Sequence, residues 1–282
     1  MGAGTVGTAL AVLLAGAGAD ISAVSGREAT RKRVARYLPD VPVLTPSAAA
    51  AAAELVLIAT PDDRIAEICR EISDAGGFRR GQTVAHLSGA TGLDALRPAA
   101  DAGAAPLSLH PLQTFPSVDV ALARLPGATI AVTARDDAAA TLGEQVARDV
   151  GAEPFRLPEE AKPLYHAAAV FASNFVVAIV GVAEELFTEA GLREPLERFL
   201  PLSRASLEHA AELGPAAAMT GPAIRGDAGT VERNLAALEA AAPDDVESYV
   251  ALTRIALDVG ERSGRLAPEG RARVEDVLVR WS

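Results

Sequence analysis

Several things are scarce in this sequence, and each scarcity excludes something. Cysteine occurs once, at Cys69, so no internal disulfide can form, and a reducing compartment, the cytoplasm, is expected. Basic residues number 26 against 37 acidic ones, and the formal net charge of −11 argues against nucleic acid or an anionic membrane as partner. The four histidines, His86, His110, His166 and His209, lack metal-ligand spacing, so no metal is expected. No positive charge precedes Arg27, so the apolar run Ala9–Ala17 lacks the charged start of a secretory leader.

The other reading of the same stretch is a phosphate loop. In Gly2-Ala3-Gly4-Thr5-Val6-Gly7, Gly2 permits a tight turn, Gly4 lets backbone approach a pyrophosphate, and Gly7 lets the following helix pack close to a sheet. A helix from Thr5 to about Ala17 then aims its free N–H groups, those of Thr5 and Val6 among them, at the phosphates. A strand should precede such a loop, yet only Met1 does. The first strand therefore looks truncated, and the native start is expected a few residues upstream.

An acidic residue is also missing where NAD enzymes place one. The strand candidate Asp20–Val24 is followed by Ser25-Gly26-Arg27 instead of Asp or Glu, and a hydroxyl with a guanidinium suits a 2′-phosphate. NADP(H) is the expected cofactor. The basic run Arg31-Lys32-Arg33 either joins that site or is a solvated helix face.

Further strands are expected at Glu54–Thr60, Thr83–Ser88, Pro106–Leu109, Ala128–Val132 and Glu153–Leu157, alternating with helices. That alternation implies a doubly wound parallel α/β sheet whose ligands lie beyond the strands' carboxyl ends, so Ser25, Thr60 with Pro61, Ser88 and His110 share one rim. Ala48–Ala53 reads as helix surface. After Pro158 the pattern is helical throughout: Glu159–Ala190, Glu194–Glu212, Thr230–Ala241, Asp244–Ser263 and Pro268–Trp281. The expected domains are 1–157, α/β, and 158–282, all-α.

Lysine is nearly absent. Of the 26 basic residues only Lys32 and Lys162 are lysines. Lysine can lose its proton near neutral pH when desolvated and arginine cannot, so Lys162 is a candidate proton donor, the alternative being a solvated lysine retained by chance. On a helix Lys162, His166 and Ser173 share a face, with Lys162 and His166 roughly 6 Å apart along the axis and Asn174 about 18 Å away. Ser173 and Asn174 touch a nicotinamide, meet a second subunit, or bond within a buried helix. His110 is placed on a loop, as a second donor or as a histidine satisfied by loop backbone, with Gln113 a weaker substrate contact. The apolar run Val170–Val182 is too short and too polar to span a bilayer and belongs to a domain core or a dimer interface.

Four stretches together carry a resemblance: GAGTVG at the start, SLHPLQTF at 108–115, KPLYHAAAVFASNF at 162–175 and TGPAIRGDAGTV at 220–231. The chain resembles a bacterial family that joins a Rossmann-like domain to a 6-phosphogluconate-dehydrogenase-like helical domain of long-unassigned function. It is similar in architecture to ketopantoate reductase, pyrroline-5-carboxylate reductase and the β-hydroxyacid dehydrogenases. Such enzymes use a Lys-x-x-x-Asn pair on the first long helix, and here His166 stands in the asparagine's place.

The resemblance implies hydride transfer from NADPH to the carbonyl or imine of a small substrate, with Lys162, His166 or His110 supplying a proton. The expected substrate is a small 2-oxo acid, ketopantoate first, or else a cyclic imine. Arg225 is placed to grip its carboxylate, while Asp227 or Thr230 could cap the next helix. The resemblance also favours a homodimer through the C-terminal helices. A different class, a nucleotide-binding sensor or assembly protein without turnover, is separated from an enzyme by the effect of losing Lys162.

Overall fold

Short aliphatic runs bounded by Gly, Pro and Asp make the strands. The computed structural model describes residues 1–281. The strands are β1 (Leu55–Ile58), β2 (Thr83–His86), β3 (Ala105–Pro111), β4 (Thr129–Ala134) and β5 (Glu153–Arg156), in the order β1-β2-β3-β4-β5. β1, β2 and β3 are parallel, as are β4 and β5, but β3 and β4 are antiparallel. The expectation of a wholly parallel sheet is corrected at that pair. The β3–β4 connection holds only the short helix Val118–Arg124, and an antiparallel neighbour needs no return crossover.

The Asp20–Val24 segment forms a single bridge, Val24 to Val43, instead of a full strand. Met1 and Gly2 lie between this segment and β1: the Ala59 N–H donates to the Met1 carbonyl at 2.8 Å and the Gly2 N–H to the Ser25 carbonyl at 2.9 Å.

Helices cover both faces of the sheet. Thr5–Gly16 buries Ala9, Leu10 and Leu14 with Leu107, Leu109, Ile130 and Val132. On Ile65–Asp74 the spacing Ile65, Cys69, Ile72 puts one apolar stripe against Val56, Ile58 and Val84. Each such isoleucine contributes roughly 1.5–3 kcal/mol by leaving water. Cys69 is thus a core residue, its thiol pushed up to about 11 by burial. The alanine-rich helix is Pro46–Ala51; Ala49 and Ala50 are buried while Ala48 and Ala51 are exposed, so one side packs and the other is helix surface.

The chain divides into two compact units, Met1–Asn174 and Phe175–Ser282. Helix Lys162–Ala172, placed by sequence in the helical domain, belongs to the first. The second has its own core, in which Val231, Leu235, Val250, Leu257, Val274 and Leu278 meet from helices Ala228–Ala241, Val246–Arg262 and Pro268–Val279.

One long helix was expected over Glu159–Ala190. It is broken at Ser173, whose backbone (φ −129°, ψ −68°) leaves the helical region between Lys162–Ala172 and Asn174–Glu189. No residue of Asn174–Glu189 is buried, which removes the domain-core reading of Val170–Val182; Phe171 is 62% exposed and Val177 69%. By length and composition the helical run Glu159–Glu189 could cross a membrane, contrary to the reading of 170–182 alone as too short. Its first turns, however, are fixed by a buried polar network in the first unit, which a lipid-embedded segment could not share.

Candidate active site

The parallel strands β1, β2 and β3 end together, and their carboxyl ends carry the polar residues. After β1 come Thr60, Pro61 and Asp62; after β2, Ser88 and Gly89; and β3 carries Ser108 and His110. His110 therefore sits within a strand, which corrects its placement on a loop.

The glycine loop lies beside the end of β1. Gly2 has φ +64°, a conformation that costs any residue with a Cβ, and a Cβ there would meet Thr60 Cγ2 at 2.6 Å. A Cβ on Gly7 would meet Ala59 Cβ at 2.7 Å, so the third glycine permits close helix–strand packing. Beside Gly4 the nearest atom is the Gly2 carbonyl at 3.8 Å, leaving the backbone open on that side. Helix Thr5–Gly16 has no side-chain cap and no acidic residue in its first turn. Thr60 Oγ1 is buried beside this loop with no hydrogen-bond partner among the described residues. An uncapped positive helix end, an open glycine and an unpaired hydroxyl fit a pyrophosphate. Of the residues expected at the 2′-phosphate, Ser25 is buried and Arg27 is exposed at the start of helix Glu28–Tyr37. Arg33 turns back and donates to the Ala3 carbonyl in the loop at 2.6 Å, so one member of the basic run is structural.

Ser88 is a hub. Its hydroxyl donates to Asp62 Oδ2 at 2.6 Å and accepts from the N–H groups of Ala90 and Thr91, which shapes the turn after β2. Its carbonyl accepts from Lys162 Nζ at 2.9 Å and from Ser108 Oγ at 3.2 Å. Lys162 also donates to Ser108 Oγ at 2.8 Å and is only 1% exposed, which disposes of the solvated-lysine reading. Burial pulls its ammonium down to about 8, against the opposing charges of Asp62 and Glu159.

Glu159 anchors the segment that delivers Lys162. It accepts from the Leu93 N–H at 2.7 Å and pairs with Arg135, which also holds Asp94 at 2.8 Å. The start of the lysine helix is thereby tied to the turn after β2.

One helical turn beyond Lys162, two rings meet the end of β3. His110 Nδ1 lies 2.9 Å from the Tyr165 hydroxyl, and the His110 ring is 6.1 Å, edge-on, from that of His166. Both histidines crowd Gly89: a Cβ there would lie 2.8 Å from His110 Nε2 and 2.8 Å from His166 Nδ1. His166 Nδ1 is buried without a hydrogen-bond partner among the described residues. Burial, with Lys162 and His166 nearby, takes His110 down to about 4, and burial takes the Tyr165 phenol up to about 12. At neutral pH His110 is uncharged and Tyr165 keeps its proton. Behind them His86 is fully buried, accepts the Ser88 N–H at Nδ1, and is lowered to about 4.

The first unit thus brings together Lys162, His166, His110, Ser88 and Thr60. Gln113 is exposed and accepts from the neighbouring Thr114 N–H. Ser173 is the helix break, Asn174 begins the next helix, and neither is buried. Arg225 belongs to the second unit and is exposed; the capping role beside it falls to Asp227, which accepts from the Thr230 N–H at 3.0 Å. Sequence reasoning missed Tyr165, Gly89, Ser108 and Asp62. One signal was available for Tyr165: it is one of three tyrosines and stands between the two residues already singled out on that helix.

Among solved structures the chain is similar to a candidate NADP oxidoreductase from Bacteroides fragilis, with 25% identity over 91% of this chain and 96% of that one and a TM-score of 0.72. A Thermotoga maritima protein is similar at 22% identity, covering 91% of this chain and 96% of its own, with a TM-score of 0.71. A reductive aminase from Aspergillus terreus, seen with NADPH and ethyl levulinate, shares the fold at 20% identity over 98% of this chain and 96% of its own, with a TM-score of 0.61. No curated protein matches. Family models match residues 1–111 as a Rossmann-like domain and 128–256 as a domain of unknown function, DUF2520. The second match begins at β4, inside the sheet. The two matches together describe a chain in which a Rossmann-like domain is joined to a DUF2520 domain.

Proposed function

We propose that this protein is an NADPH-dependent reductase that adds hydride to the carbon of a small carbonyl or imine. The observation that carries the reading is one rim holding two things: the uncapped helix end at the glycine loop, and the cluster of Lys162, His110, Tyr165 and His166 around Gly89. Bound NADPH supplies the hydride. Gly2, Gly4, Gly7 and the N–H groups of Thr5 and Val6 hold its pyrophosphate, and Thr60 and Pro61 border it. Ser25 and Arg27 favour the 2′-phosphate. The cluster gives the developing charge on substrate oxygen or nitrogen a positioned proton, an effect typically worth 10²–10⁴-fold in rate. The B. fragilis and A. terreus neighbours support the cofactor assignment.

The substrate reading divides. A 2-oxo acid such as ketopantoate rests on Arg225 as a carboxylate clamp. A ketone or imine without a carboxylate is favoured by the reductive aminase, which was seen with a keto ester, and by a Pseudomonas imine reductase of the same fold (18% identity, 97% of this chain and 96% of that one, TM-score 0.63). A second copy of this chain covers helix Asn174–Glu189, on which Phe175 and Ile179 are exposed on one side and Val177 on the other. Sedimentation at micromolar concentration is expected to give a dimer. Reducing cytoplasm remains the proposed location.

The test is a titration of NADPH and NADH followed by nicotinamide fluorescence, then turnover of ketopantoate and pyrroline. Saturable binding with preference for NADPH, and reduction of either probe, is the expected result. Binding of neither cofactor removes the reading. Binding without turnover, unchanged by Lys162→Ala, would instead favour the sensor.

A further inference from the structure

We propose that the proton in this reduction is delivered by the Tyr165 hydroxyl, resupplied through His110 and His166, and that Lys162 is a positioning residue. The assignment rests on the reductase reading above. Its geometric basis is a difference in commitment between two donors. Lys162 is 1% exposed and its Nζ already has two partners, the Ser88 carbonyl and Ser108 Oγ, inside a buried network, so reaching a substrate would mean drawing the ammonium out of both bonds. The Tyr165 hydroxyl has one partner, His110 Nδ1, and the residue is only half-buried. It can offer its proton outward while keeping that bond.

His110 can refill the phenol by switching tautomer. As hydride reaches the substrate carbon, the π electrons move to oxygen or nitrogen, which takes the Tyr165 proton. The phenolic oxygen takes the proton on His110 Nδ1, and His110 Nε2 takes one from the His166 side, so the imidazole stays neutral. The net proton comes from water. The layout matches this path: Nε2 of His110 and Nδ1 of His166 both lie 2.8 Å from one point beside Gly89, and that His166 nitrogen has no hydrogen-bond partner among the described residues. Only glycine leaves room for the two rings to converge there. A phenol held protonated and an imidazole held neutral at pH 7 suit a relay of this kind.

Tyr165→Phe, Gly89→Ala and Lys162→Met are compared with wild type in NADPH affinity, in kcat and KM with ketopantoate and pyrroline, and in melting midpoint. The ¹⁵N shifts of His110 are read by NMR without cofactor. Tyr165→Phe is expected to lower kcat about 100-fold with NADPH affinity and melting unchanged, and to move the His110 Nδ1 resonance. Gly89→Ala should lower kcat in the same direction. Lys162→Met should lower the melting midpoint by about 4 °C or more and lower kcat by less than Tyr165→Phe does. Tyr165→Phe with near-normal kcat, or with an unmoved His110 resonance, overturns the assignment. So does Lys162→Met that abolishes turnover without loss of stability, which returns the lysine as donor. Wild-type protein that binds no NADPH, or reduces neither probe, overturns the reductase reading and this assignment with it, an outcome distinct from the loss of the tyrosine's role alone.

Discussion

Residues 162–166 and residues 220–230 share one thing as sequence: each places a basic residue at or just before a helix start. They become opposite kinds of structure. In the first, the basic group is pulled under the surface, bonds to two oxygens of other elements and loses part of its affinity for a proton. In the second, Arg225 stays in solvent and the small residues do the packing. Gly226, at φ +65°, lets the loop approach helix Pro268–Val279 so closely that a Cβ would lie 2.6 Å from Gly270 Cα. Gly260 likewise makes room for the Ile224 side chain. The lesson is that burial of charge, more than motif specificity, separates chemistry from architecture.

The largest effect expected from breaking this contrast is in the second stretch. Gly226→Val adds a branched side chain in a left-handed conformation and against a neighbouring backbone, two costs that sum to about 4 kcal/mol. Chemical denaturation is the measurement. A loss below about 1 kcal/mol would show that the loop is loose and that the glycines are not a packing device.

Next in size is the pH dependence caused by Lys162. Its folded value, about 8, lies below the ordinary 10.5, so between those limits the unfolded chain binds more protons and stability must rise with pH. The penalty is fully present below pH 8 and is relieved as the pH approaches 10.5. Over that window wild type should gain up to about 3 kcal/mol relative to Lys162→Met, which cannot titrate. His86 and His110 act at the other end. Both are lowered from 6.5 to about 4, so stability falls as the pH drops through that interval. A flat difference between wild type and Lys162→Met from pH 7 to 10 would mean that the lysine is better solvated than its burial implies.

A smaller effect separates cap from clamp in the second stretch. Asp227 accepts the Thr230 N–H and its hydroxyl, and the carboxyl is held below its usual range mainly by that hydroxyl. Asp227→Ala should lower stability, as for other caps, without changing any kinetic constant. A raised KM with no loss of stability would transfer the clamp from arginine to this loop as a whole.

What was legible in the sequence was local. The glycine loop, the helix after it and the polar rim at the strand ends each follow from residues a few positions apart, while Lys162 stood out through the lysine count of the whole chain. The reversal of β4 was not legible, because strand direction depends on how a connection returns. Tyr165 and His110 are 55 positions apart, and only the packing of the lysine helix against the end of β3 brings them together. Gly89 is required by two side chains from β3 and the lysine helix, so nothing adjacent to it announces the need. The helix break at Ser173 was hidden because the alanines before it are good helix formers and neither glycine nor proline marks the place.

The smallest stability change is expected at Arg225, and it is the most informative about substrate. The side chain is exposed, so Arg225→Ala should stay within about 0.5 kcal/mol of wild type in unfolding. If the substrate carries a carboxylate that this guanidinium grips, KM for ketopantoate should rise by roughly tenfold or more while KM for pyrroline, which has no carboxylate, stays put. If both constants are unmoved, the carboxylate clamp is lost and the keto-acid reading loses its support. The contrast between the two stretches would then be complete, with all the chemistry at the buried lysine's end and none at the exposed arginine's.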